Sequence, residues 1–189
     1  METIFKVRDL EMIIDETSIE QVLRSLIEVD TSNPPGKNYE RIVNIIKEQI
    51  APTECRIELV KPSPDRVKEL VKESEGVRGE RLNLVATLDR GKGKAVVLNG
   101  HMDVVPASGA WTCPPFKLTK KDGMWYGRGV ADMKGSLAVL IMVFRRLVEN
   151  KKWKGRLVLT ATVDEEIGGY TGLAYLFDEK VVNGDYCIV

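Results

Sequence analysis

Apolar positions Ile19, Val22, Leu23, Leu26 and Ile27 recur at helical spacing behind Ser18, with Gln21 three residues on as in a capping box. They predict a helix of about three turns starting at Ser18. The segment TSNPPGKN cannot continue it, because Pro34 and Pro35 remove donors and fix the backbone, and Gly36 loosens it. From Tyr39 the series Ile42, Val43, Ile45, Ile46 and Ile50 predicts a second helix, closed by Pro52. Residues 54–60, ECRIELV, alternate and favour a strand. Charge dominates residues 64–80, which read as a solvated helix or loop with no function of their own.

Two β-branched runs, LNLVATL (82–88) and AVVLNG (95–100), flank the turn DRGKGK and predict a hairpin. The glycines of that turn lack the spacing and the Lys-Ser/Thr ending of a phosphate loop. After an aromatic, Gly-rich stretch (111–135), SLAVLIMVFRRLVEN is apolar nearly all round until its basic last turns, as in a helix packed inside an α/β core. RLVLTATV (156–163) reads as a strand covered on both faces. A short helix around 171–179 and a strand from Asp185 complete a β-α-β-α-β order. That order predicts an α/β fold: a mainly parallel sheet with helices on both faces, formed by residues 1–189 as one unit.

Composition removes several function classes. With 43% hydrophobic and 30% charged residues the chain has the balance of a globular domain. Its 28 basic and 28 acidic residues cancel, so no general attraction to nucleic acid or anionic lipid is expected, and a small-molecule partner fits better. The first twenty residues carry Glu2, Asp9, Glu11, Asp15, Glu16 and Glu20 and match neither a signal peptide nor a membrane span, which points to the cytoplasm. Cys55, Cys113 and Cys187 are odd in number and widely spaced, and read as reduced thiols.

In an open α/β sheet ligands bind beyond the carboxyl ends of the strands. Three polar clusters follow apolar runs there: His101 and Asp103 in NGHMDVVP, Asp132 in GRGVADMKG, and Asp164, Glu165 and Glu166 in TVDEEIGG. Each has a plain structural alternative. A lone histidine after a strand is often only hydrogen-bonded, Asp132 is placed to cap a helix, and an acidic trio suits a helix start. Together they bring the single histidine and three acidic clusters to one sheet edge. Imidazole and carboxylates suit Zn²⁺, and a carboxylate can bridge two ions about 3.5–4 Å apart. Asp103, two residues beyond His101, is placed to orient its ring. One glutamate of an adjacent pair can bind metal while the other takes a proton from water.

The stretches GHMDVVP, WTCPPF, DGMWYGRGVADMKG and TVDEEIGG, in this order, resemble the acetylornithine deacetylase, succinyl-diaminopimelate desuccinylase and aminoacylase family of co-catalytic zinc hydrolases, and IEVDTSNPPGKN is similar to its N-terminal segment. The resemblance implies the N-terminal portion of a zinc-exopeptidase-like catalytic domain. It implies His101 as ligand of one zinc, Asp132 as bridge, Glu166 as ligand of the second, Glu165 as general base and Asp103 as the partner of His101. It also implies a cis peptide at Asp132-Met133. Two Zn²⁺ ions, with Co²⁺ as a substitute, an N-acyl amino acid or short peptide as substrate, and room for a homo-oligomer complete the expectation. Further family ligands, a carboxylate and a second histidine, have no counterpart before Val189, nor does a lid or dimerisation domain. A truncated and inactive chain is therefore expected, with a folded binding or regulatory module as the alternative. A nucleotide-binding α/β protein is disfavoured, since GRGVADMKG has the wrong glycine spacing.

Overall fold

The computed structural model describes residues 14–71 and 79–189. Residues 1–13 and residues 72–78 of the charged stretch lie outside the described residues. The first helix, α1 (Glu16–Ile27), buries Val22, Leu23, Leu26 and Ile27 as its spacing requires. Its cap is not Ser18, however, but Asp15, whose carboxylate accepts from Ser18 N at 2.8 Å and Ser18 Oγ at 2.7 Å. A carboxylate at this position satisfies an orphan amide and favours the helix dipole, so it displaces the later hydroxyl as cap. Helix α2 (Tyr39–Ile50) follows, then strand β1 (Arg56–Val60) and the short helix α3 (Pro64–Leu70), which buries none of its residues.

The sheet continues with β2 (Asn83–Asp89), β3 (Ala95–His101), β6 (Arg156–Thr162) and β7 (Tyr186–Ile188), in the order β1-β2-β6-β3-β7. Strands β4 (Thr119–Lys121) and β5 (Met124–Tyr126) form a separate hairpin turning on Asp122 and Gly123, both with positive φ. Strands β6, β3 and β7 are mutually parallel, while β2 is antiparallel to both β1 and β6. Four of the five strands thus share a direction, and the mainly parallel α/β fold is borne out.

The expected hairpin between β2 and β3 is not formed, because β6 lies between them. Both runs are apolar on both faces, and placing the almost wholly buried β6 at the centre covers all three. The DRGKGK connection crosses the start of β6 and bonds to it: Arg90 N donates to Gly155 O at 2.9 Å, and Arg156 N to Lys94 O at 3.0 Å. A Cβ on Gly93 would come within 2.8 Å of Gly155 backbone atoms, so these glycines serve that crossing.

Side chains alternate between two cores, as strand pleating dictates. Leu157, Leu159 and Ala161 of β6 face α1, α2 and helix α4 (Gly135–Glu149), whereas Val158 joins Val85, Val97, Leu176 and Val182 on the side of helix α5 (Leu173–Asp178). Helix α4 is less enclosed than its composition suggests: Val139 remains 40% exposed. Among the described residues no helix is long and apolar enough to cross a membrane. The three cysteines are free thiols, as expected.

Candidate metal centre

Strand β3 ends at His101, whose ring is held at 3% exposure beside the carboxyl end of β6. Its Nδ1 lies 2.9 Å from the backbone carbonyl of Asp103 and 3.6 Å from Oδ1 of that residue. A carbonyl only accepts, so Nδ1 carries a proton, and loss of the second proton from Nε2 would leave there the outward lone pair that a metal ligand needs. Asp103 therefore does face His101, with its main-chain carbonyl at hydrogen-bonding distance and its carboxylate at ion-pair distance. Nε2 faces Asp132 Oδ1 at 3.0 Å and Glu165 Oε2 at 3.5 Å.

Asp132 sits in the link between β5 and α4, after the left-handed Gly129, with a side chain 75% exposed. The Asp132-Met133 peptide is cis, as the resemblance implied, and Asp132 does not cap α4. Lys134 anchors this link from below. It is fully buried, and its Nζ donates to Leu26 O at 3.0 Å and Val29 O at 2.8 Å, carbonyls at and just beyond the end of α1. Burial lowers the Lys134 pKa to about 7 against the charges of Asp30 and Asp103.

After β6 the chain turns through Asp164, at φ 62°, into a 3-10 turn, Glu165–Ile167. The Asp103 carboxylate caps this turn, accepting from Glu165 N at 3.3 Å and Glu166 N at 3.1 Å. Glu166 Oε1 accepts from Val105 N at 3.2 Å. Partial burial raises the Glu166 pKa; the His101 charge opposes this while those of Asp132 and Asp103 add to it. For His101, burial works against the charged ring, but Asp103, Asp132 and Glu165 outweigh it and raise the pKa from 6.5 to about 9.

Ligand atoms of His101, Asp132 and Glu166 all lie within 4.8 Å of one another. One imidazole and two carboxylates suit a zinc-type cation, and such an ion would replace the proton now shared between Nε2 and Asp132. Glu165 reaches His101 Nε2 but stands outside that convergent group, with its side chain 55% exposed. The five residues to which the resemblance assigns roles thus meet at one place.

Residues 97–188 match the model of Peptidase family M20/M25/M40. The matched segment runs from β3 through β7 and contains His101, Asp103, Asp132, Glu165 and Glu166. Solved peptidase structures share the fold. The M20 family metallo-carboxypeptidase Sso-CP2 of Sulfolobus solfataricus aligns at TM-score 0.68 and 18% identity, over 93% of this chain and 37% of its own. Human carnosine dipeptidase 1 aligns at 0.67 and 22%, over 95% and 38%. The dipeptidase Dug1p of Saccharomyces cerevisiae aligns at 0.65 and 22%, over 89% and 36%. The chain spans less than two fifths of the length of these peptidases.

A buried cluster beneath the acidic pair is not expected from the sequence patterns as a unit. Asp164, 1% exposed, accepts from Arg81 Nε at 2.7 Å, Thr171 Oγ1 at 2.5 Å, Tyr39 Oη at 3.1 Å and Asn33 Nδ2 at 2.9 Å. Burial drives the Tyr39 pKa far up, reinforced by the charges of Asp103 and Asp164, so its hydroxyl stays a donor. Asp164 lies in TVDEEIGG and Asn33 in IEVDTSNPPGKN, both singled out in the sequence; Tyr39, Arg81 and Thr171 lie outside those stretches and join them through the fold.

Proposed function

We propose that this chain is part of a metal-dependent hydrolase of the M20 type that cleaves the amide bond of an N-acyl amino acid or short peptide. The convergence of His101, Asp132 and Glu166 at the carboxyl edge of the sheet carries this reading. The peptidase-family match over the same residues supports it.

His101 and Glu166 would each hold one ion, and Asp132, with its side chain 75% exposed, would bridge them. Zn²⁺ or Co²⁺ would supply Lewis acidity to the scissile carbonyl and bring the pKa of water toward about 7. Glu165 is the general base in this reading. It takes a proton from water as the oxygen attacks the carbonyl carbon, and returns it to the nitrogen when the C–N bond breaks. Asp103 keeps His101 in the ligating tautomer with its carbonyl and holds both glutamates with its carboxylate.

Isothermal titration with Zn²⁺ tests the metal reading. Saturable binding that disappears in His101→Ala is expected; binding unaffected by that substitution would place the metal elsewhere. Release of amino acid from N-acetyl, N-succinyl and dipeptide substrates by a preparation spanning the full length of the related peptidases would then separate deacetylase, desuccinylase and dipeptidase chemistry.

A further inference from the structure

Two carboxylates, Asp103 and Asp164, are buried side by side under the candidate centre at 0% and 1% exposure. A single side chain joins them: Asn33 Nδ2 donates to Asp103 Oδ2 at 3.0 Å and to Asp164 Oδ1 at 2.9 Å. An amide nitrogen has two hydrogens, and here each goes to a different carboxylate. The reverse orientation would aim the Asn33 oxygen at both carboxylates, so the amide has one workable setting.

The two residues hold opposite parts of one turn, Asp103 by its carboxylate and Asp164 by its main-chain carbonyl. Asp103 accepts from Glu165 N and Glu166 N. Asp164 is the residue from which that turn departs, and its carbonyl accepts from Ile167 N at 3.2 Å and Gly169 N at 2.7 Å. Asn33 thus fixes the distance between the residue that starts the turn and the one that caps it. Its own segment is fixed in turn: Asn33 N donates to Val104 O at 2.9 Å, Thr31 Oγ1 to Met102 O at 2.6 Å, and Arg81 reaches both Asp164 and Pro35 O.

We propose that Asn33 is a positioning residue for the Glu165–Glu166 pair, acting through Asp103 and Asp164 rather than by touching substrate or metal. This rests on the metal-hydrolase reading for its functional consequence, but the geometry it sets exists without metal. In that geometry the loop at 31–38, remote in sequence from every ligand, determines where the two glutamates present their oxygens. Residues that orient metal ligands typically change affinity about 10–100-fold when removed.

Two readouts on the full chain test it, using Asn33→Leu, which keeps volume but donates nothing, and Asn33→Ser, which keeps a short donor and tolerates water. Amide hydrogen exchange is read first, without metal. Protection of Glu165 and Glu166 should fall about tenfold or more relative to the β6 amides, as expected for a loosened charge-assisted bond. Co²⁺ titration is read second. In the substituted chains affinity should fall about 10–100-fold, with an altered visible absorption band and an unchanged far-ultraviolet circular dichroism spectrum. If either folded variant keeps parental protection at both glutamates, the positioning role is overturned, whatever the metal does. If the unsubstituted chain takes up no Co²⁺ while the exchange result holds, the metal-hydrolase reading fails and the positioning role stands. Should Asn33→Leu not fold, Asn33→Ser carries both measurements.

Discussion

Replacing Arg81 by methionine should be among the most damaging single changes in this protein. The guanidinium is wholly buried; its Nε is 2.7 Å from Asp164 Oδ2, its terminal nitrogens are 3.3 Å from Pro35 O, and Nη1 is 3.3 Å from Gly79 O. Methionine fills much of the space but leaves the Asp164 carboxylate at 1% exposure with only the neutral donors Asn33, Tyr39 and Thr171. Removing one partner of a buried pair typically costs about 3–5 kcal/mol, because the remaining charge is stranded. That is a large share of a typical total of about 5–15 kcal/mol. With a urea slope of about 2 kcal/mol per molar, the unfolding midpoint should drop by about 2 M. The double substitution Arg81→Met with Asp164→Asn removes both charges while keeping a residue that accepts the positive φ of 62°. It should recover at least about 1 kcal/mol of the loss. A single variant within about 1 kcal/mol of the parent, or a double variant no more stable than the single, would refute the view that the pair is an obligate buried unit.

Other outcomes follow from the same geometry. Because the His101 pKa is raised to about 9, metal must displace a proton, so apparent Zn²⁺ affinity should fall about tenfold per pH unit below that value; titration in buffers of different ionisation enthalpy counts the released proton. The sign for the metal-free chain is opposite: the charged His101 contributes stability that is fully present below about 6.5 and lost as pH rises through about 9, which melts across that window will read. In a catalytically competent preparation Glu165→Ala should retain metal by atomic absorption yet lose about 10²–10⁴-fold in turnover; loss of metal instead would exchange the roles of Glu165 and Glu166. Lys134→Met should cost about 1–3 kcal/mol in thermal unfolding, since Leu26 O and Val29 O lose their buried donor, and should weaken metal binding by loosening the Asp132 link.

The site was more legible in the sequence than its support. His101, Glu165 and Glu166 follow apolar strands and Asp132 stands just before an apolar helix, and strand ends are where an α/β sheet exposes polar groups, so pattern and chemistry together point to them. Asp103 was found for its carboxylate, yet it is the carbonyl that meets His101 at hydrogen-bonding distance; adjacency in sequence does not tell which oxygen turns inward. The β2–β3 pairing failed because local spacing cannot reveal a strand inserted from later in the chain. The β4–β5 hairpin did leave a signal, the Asp122-Gly123 pair, lost in a stretch notable for aromatics. Nothing local marks Arg81, at the foot of a charged stretch, as the most enclosed cation facing Asp164.

The insertion of β6 between β2 and β3 also sets an order of events as the chain leaves the ribosome. When His101 has emerged, roughly 55 residues, or about 3–11 s of synthesis, separate it from the strand it must pair with. Until then β2 and β3 present unpaired apolar edges on either side of a missing centre, the kind of edge that recruits other chains. The arrival of residues 156–162 closes both edges at once and, in the same step, brings the acidic turn against His101. Joining of β2 to β3 and assembly of the candidate centre therefore coincide, with β7 left to add at the far edge of β3, and a nascent chain arrested near residue 150 would be a candidate for chaperone capture rather than a partly built hydrolase.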